Sequence, residues 1–225
     1  MPNAPQLLQR PRVKICCIAS REEARTAIRH GASALGLVSS MPSGPGVIPD
    51  ETIAEIARTV PPGVASFLLT SRPETAAIIE QQRRLRPTTL QIVDRLTTGS
   101  HRDLRAALPG IGLVQVVHVT GPASVDEALA VAPEVDALLL DSGNPSLAVK
   151  ELGGTGRRHD WRLSRKIREE AGVPLFLAGG LTADNVAEAV AAVGPFGLDL
   201  CSGVRTDGGL DERKLERFFA AVAAL

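Results

Sequence analysis

The sequence predicts a single α/β domain built as a (β/α)8 TIM barrel. Eight short apolar runs alternate strictly with eight amphipathic stretches, the pattern of a parallel sheet whose strands are joined by helices. The runs are apolar almost without a break, as strands covered on both faces require. A length of 225 residues suits eight such units closing on themselves. A doubly wound open sheet is the alternative topology for the same elements.

In order, the apolar runs place strands at 13–18, 34–38, 64–70, 89–93, 113–119, 137–141, 174–178 and 197–201. Helical periodicity places helices near 22–30, 51–59, 74–85, 101–108, 125–132, 161–171, 183–193 and 212–225. Asp160 is positioned to cap the sixth helix, whose first turn carries Trp161. Residues 1–11 are polar and contain proline, so they are expected to form a flexible arm ahead of a barrel domain at 12–225.

Composition narrows the function classes. Apolar content of 44% and charged content of 22% are those of a soluble globular protein. A formal net charge of zero argues against nucleic acid or an anionic membrane as partner. No run of 18 apolar residues and no signal-peptide pattern is present. The three cysteines, Cys16, Cys17 and Cys201, make no disulfide framework, which points to a reducing cytoplasm. With no tyrosine and one tryptophan, the core must be built from Leu, Val, Ile and Ala.

A barrel puts its chemistry on the loops after the C-terminal ends of the strands, which directs attention to particular residues. The sixth run, Ala137-Leu138-Leu139-Leu140, ends on Asp141 and opens a loop with three glycines in four residues, Gly153, Gly154 and Gly156. Burying an unpaired carboxylate is expensive, so Asp141 is read either as a reacting acid or as a structural Asp bonded to loop N–H groups. Gly179-Gly180 and Ser202-Gly203 follow strands seven and eight, where bare N–H groups and a positive dipole end suit a phosphate; tight turns are the plainer explanation. Cys16 is a candidate base or nucleophile if its thiol faces the barrel mouth, and otherwise a packed small hydrophobe. Cys17 is expected to pack outward, because successive strand side chains alternate. His118 reads as a rim histidine, and Arg157, Arg158 and His159 as solvated loop charges. No metal-ligand cluster is seen.

The residues Val13-Lys14-Ile15-Cys16, Leu138–Asp141, Gly153-Gly154-Thr155-Gly156 with Asp160-Trp161, and Leu177–Leu181 together resemble the phosphoribosylanthranilate isomerase family of tryptophan biosynthesis. Asn185-Val186 and Asp199 with Ser202-Gly203-Val204 continue the match in register along nearly the whole chain. The resemblance implies a cofactor-independent enzyme that performs an Amadori rearrangement of an N-glycosylamine phosphate. It implies Cys16 as general base for the C2′ proton and Asp141 as general acid for the furanose ring oxygen. The expected phosphate contacts are Gly154, Gly156, Gly179, Gly180, Ser202 and Gly203. The expected substrate contacts are Lys14, Gln91, Asp94, Thr155 and Arg205. The partner is a small phosphosugar, with no nucleic acid or membrane, and the protein is expected as a cytoplasmic monomer or homodimer.

Five positions depart from the family pattern. Cys17 stands where the family has glycine, and Pro45 where its strand-two loop has an arginine facing substrate. Val93-Asp94 replaces His-Gly at the end of strand four, and Arg205 replaces a glutamate after Ser-Gly-Val. The departures cluster where the aglycone would sit, so the residues support the reaction class more firmly than the amine. The alternatives are a paralogue that isomerises another aminosugar or sugar phosphate, and a non-catalytic phosphosugar-binding protein.

Overall fold

Alternate residues of each strand face two different apolar layers, and this double coverage closes the sheet. The computed structural model describes residues 10–144, 146, 147, 150–152 and 156–225. Its strands are β1 Arg12–Ile15, β2 Ala34–Val38, β3 Ala65–Thr70, β4 Thr89–Ile92, β5 Gly112–His118, β6 Ala137–Asp141, β7 Leu175–Leu177 and β8 Gly197–Leu200. They form a closed parallel barrel in chain order, with β1 pairing β8 so that Lys14 lies opposite Asp199. The (β/α)8 expectation holds and the open sheet is excluded.

Leu35, Leu37, Leu68, Leu90, Leu138, Leu140, Leu177 and Leu198 point outward and join one buried cluster with the helices. Phe67, Leu69, Val114, Val116, Leu139 and Phe176 point into the lumen and form a second cluster. Each fully buried leucine in such a layer contributes ~1.5–3 kcal/mol. The Phe67 and Phe176 rings meet edge to face, with centroids 5.8 Å apart, and fill the lower lumen.

The outer ring is α1 Arg21–Arg29, α2 Asp50–Ala57, α3 Thr75–Leu85, α4 His101–Ala107, α5 Ala123–Val131, α6 Trp161–Glu170, α7 Val186–Val193 and α8 Glu212–Ala223. Asp160 caps α6 as anticipated, accepting from the Arg162 N–H. Helix α7 starts three residues later than the periodicity suggests. The Asn185 side chain accepts from the Thr182 N–H and donates to the Gly180 carbonyl, which folds residues 182–185 into the preceding loop. An antiparallel hairpin absent from the sequence reading, β9 Arg205–Thr206 with β10 Gly209–Leu210, follows β8. Asp207 and Gly208 both take positive φ (50° and 80°) at its turn, as a two-residue turn of this kind demands. Residues 1–9 of the expected arm lie outside the described residues.

Strand β1 ends sooner than its apolar run. Cys17 has φ of 62°, in the left-handed region that non-glycine residues seldom occupy, and this turn breaks the alternation assumed for residues 13–18. Cys17 therefore does not pack outward. Its side chain joins Cys16 in the cavity at the mouth of the barrel.

Candidate active site

One cavity at the C-terminal ends of the strands gathers most of the singled-out residues. Cys16, Gln91, Asp141, Gly156, Gly179, Gly180, Ser202 and Gly203 all line it. Cys16 follows β1 directly and Asp141 is the last residue of β6, so both reach the mouth at the same end of the sheet.

Beneath Cys16 lies a buried charge pair. Lys14 and Cys16 are two residues apart and point to the same side, while Asp199 enters from the facing position of β8. Lys14 Nζ donates to Asp199 Oδ1 at 2.8 Å and sits 5.3 Å from the Phe67 ring centroid. Burial pulls the Lys14 pKa down, but the Asp199 carboxylate and then Cys16 outweigh it, so the ammonium is held above its ordinary value. Gly36 leaves room for this arrangement. A Cβ there would stand 2.7 Å from Cys16 Sγ and 3.0 Å from Lys14 Nζ, so sulfur and ammonium flank one point.

Across the lumen, Asp141 is 8% exposed and its Oδ1 accepts from the Ser142 N–H at 2.7 Å. Burial pushes its carboxyl pKa up; the Ser142 bond and then His118 pull the other way without cancelling this. His118 lies opposite Asp141 in the β5–β6 register. Its Nε2 is 3.1 Å from the Val93 carbonyl, which can only accept, so Nε2 carries the hydrogen. Nδ1 is left buried without a partner, and the same is true of Gln91 Oε1.

The third side of the cavity is backbone. The loops after β7 and β8 touch so closely that a Cβ on Gly203 would stand 2.1 Å from the Leu181 carbonyl oxygen, which leaves glycine as the residue that fits. Gly180, at φ 63°, packs against the Gly156 and Arg157 carbonyls of the loop after β6. The short turn Ser202–Val204 leaves its first N–H groups outside its own hydrogen-bond ladder. The corner combines bare donors with the absence of side chains, a surface that an anion can approach.

Three expected substrate contacts do not line this cavity. Arg205 is drawn into an ion pair with Glu23 at 3.0 Å and also donates to the carbonyls of Gly208 and Cys17. Asp94 pairs with Lys150 at 2.5 Å. Lys14 is fully buried under Cys16. Asp94 and Arg205 stand near strand ends and Lys14 came with the resemblance, and each is taken by a partner distant in sequence. Gly154 and Thr155 lie outside the described residues. Asp199 is the residue that the reading of individual side chains missed, and it lines the cavity. Its signal was present: the apolar runs 13–18 and 197–201 each carry one charge, Lys14 and Asp199, and opposite signs in adjacent strands suggest a pair. Among the described residues, no group of three or more His, Cys, Asp or Glu side chains could hold a metal ion, and no helix is long and apolar enough to cross a membrane.

The comparisons with known proteins agree with one another. The family model for N-(5'phosphoribosyl)anthranilate (PRA) isomerase matches residues 13–221. An N-(5'-phosphoribosyl)anthranilate isomerase of Halorubrum lacusprofundi is 39% identical over 211 residues, covering 93% of this chain and 95% of the relative. The crystal structure of phosphoribosyl anthranilate isomerase from Thermotoga maritima matches with a TM-score of 0.78 at 28% identity, covering 96% of this chain and 100% of that one. A further crystal structure of such an isomerase, in complex with reduced 1-(o-carboxyphenylamino)-1-deoxyribulose 5-phosphate, matches with a TM-score of 0.76 at 26% identity and the same coverage.

Proposed function

The chain belongs to the N-(5'-phosphoribosyl)anthranilate isomerase family, and from that premise we propose that Cys16 is its general base and Asp141 its general acid in the Amadori rearrangement of N-(5'-phosphoribosyl)anthranilate. The product is the 1-(o-carboxyphenylamino)-1-deoxyribulose 5-phosphate whose reduced form occupies the related structure. The observation that carries this reading is the convergence of Cys16 and Asp141 on one cavity with the glycine corner between the loops of β7 and β8.

The chemistry follows from the surroundings. Burial keeps the Asp141 carboxyl protonated further up the pH scale than usual, so it has a proton to give to the ring oxygen as the furanose opens. The opened species is a protonated imine whose C2′ proton is acidified by the adjacent positive nitrogen. Cys16 removes that proton as a thiolate, giving an enolamine that tautomerises to the ketose. The Lys14 ammonium and the Cys16 sulfur flank one point beside Gly36. Lys14 thus acts through Cys16 as a positioning residue, with no direct contact to substrate. The phosphate lies against the backbone donors of Gly180, Ser202 and Gly203, with Gly156 and Gly179 completing the corner.

The test is steady-state turnover of N-(5'-phosphoribosyl)anthranilate by the purified protein and two variants. Cys16→Ala and Asp141→Asn each lower kcat by ~100-fold or more, equivalent to about 3 kcal/mol of barrier. The double variant is little worse than the singles, because the groups serve linked steps. A single variant with near-normal turnover removes that residue from its role.

One observation favours a second reading, a paralogue acting on another aminosugar phosphate. Among the described residues, no Lys or Arg lines the cavity, so the anthranilate carboxylate meets no cation there.

A further inference from the structure

We propose that Cys17 and Cys201 are a reversible oxidation site, a thiol pair whose disulfide closes the barrel covalently at the seam between its first and last strands. The two residues follow β1 and β8, which are hydrogen-bonded neighbours, with the Cys16 N–H donating to the Leu200 carbonyl at 2.7 Å. The register of Ile15 opposite Leu200 continues to set Cys16 opposite Cys201, with Cys17 one residue beyond. The left-handed turn at Cys17 swings its side chain toward β8, and the Cys17 and Cys201 sulfurs are in direct contact, 2.6 Å apart.

The pair is set apart from its surroundings. Both residues line the cavity, and Cys201 is partly exposed, so a small oxidant reaches it from the mouth. The two thiols are unequal. The hydrogen bond shared with Cys17 lowers the Cys201 pKa, and Arg205 adds to this against the effect of burial. Hydrogen bonds with Cys16 and Cys201, and then burial, push the Cys17 thiol up. The charged groups around them are Lys14 with its partner Asp199 and Arg205 with its partner Glu23, so cations and anions balance on this side.

That inequality fixes the order of events. With a small disulfide such as oxidised glutathione as oxidant, the Cys201 thiolate attacks one sulfur and releases the first glutathione thiolate. Cys17 then loses its proton and attacks the mixed disulfide at Cys201, releasing the second glutathione. Two protein thiols are oxidised by two electrons, one glutathione disulfide is reduced to two thiols, and the two protons leave with them. Reduced glutathione in excess reverses both steps. Cys16 takes no part and remains a thiol.

The experiment uses the full chain and reads mass and stability, so it stands apart from any result on turnover. The protein is incubated with oxidised glutathione, blocked with iodoacetamide, digested and sequenced by fragmentation. The expected product has lost two hydrogens, joins Cys17 to Cys201, and carries a single alkylated thiol at Cys16. Because the bond closes a loop between residues 184 apart, the melting temperature rises by roughly 5–10 °C and falls back with reductant. Cys201→Ser and Cys17→Ser keep their two remaining thiols and show no rise. Should Cys17→Ser fail to fold, Cys17→Gly, which suits the positive φ, replaces it. A bond to Cys16, a mixed disulfide that persists on Cys201, a chain-to-chain link, or unchanged mass each overturns the proposal.

Discussion

The wall built from β1 and β8 and the wall built from β4, β5 and β6 face each other across the cavity, and they handle polar groups differently. On the first, Lys14 is matched by Asp199. On the second, Gln91 Oε1 and His118 Nδ1 are buried without partners, and Asp141 holds a proton beyond its usual range. A wall with its charges matched has little left to offer a ligand by direct contact and acts through the field it sets up. A wall with unmatched acceptors keeps hydrogen-bonding capacity for something that enters. The two walls thus divide the work between orienting the base and receiving the substrate.

The largest effect comes from breaking the matched wall. Lys14→Met strands the Asp199 carboxylate in the lumen, and the fold loses ~3–5 kcal/mol in a urea titration. Adding Asp199→Leu returns most of that loss while turnover stays low, because the ammonium beside Cys16 is gone. A double variant as unstable as the single one would mean that packing, and not charge matching, holds this wall. The opposite wall responds with the opposite sign. Gln91→Leu removes an unsatisfied oxygen and raises stability by ~1 kcal/mol, while KM for the phosphosugar substrate increases. A loss of stability would show that the oxygen is satisfied in the free protein.

The buried acid gives a smaller, pH-dependent difference. A carboxyl whose pKa is raised on folding contributes stability that is present below its ordinary value of ~3.9 and lost as pH rises through the folded value. Asp141→Asn, which has no such titration, therefore melts higher than the wild type at pH 8, and the gap narrows on acidification toward pH 4. Parallel melting curves across that range would place the carboxyl in an ordinary solvated setting. The smallest effect concerns Pro45, which also lines the cavity. Pro45→Arg adds the cation that the cavity lacks, and kcat/KM for N-(5'-phosphoribosyl)anthranilate rises by up to ~10-fold. No change, with high wild-type efficiency, would show that another group already meets the carboxylate and would remove the case for a paralogue.

What was legible in the sequence follows the range of the interaction. The eight units were readable because alternation in Leu138-Leu139-Leu140 or the cap at Asp160 depends on neighbours a few residues away. The cavity residues at strand ends were readable for the same reason, once a barrel was inferred. Cys17 was misplaced because its orientation depends on one backbone angle, and a cysteine gives no sign of a positive φ where a glycine would. Arg205 and Asp94 were assigned to substrate because Glu23 and Lys150, 182 and 56 residues away, are invisible as partners along the chain.

The Lys14–Asp199 pair also sets a condition on how the protein is made. The two residues are 185 positions apart, so at ~5–20 residues per second the ribosome leaves Lys14 without its partner for roughly 10–40 s. Through that interval β1 is an open edge of an unfinished sheet. An ammonium on such an edge disfavours the docking of a foreign strand, and the same ammonium cannot be buried until β8 arrives to neutralise it.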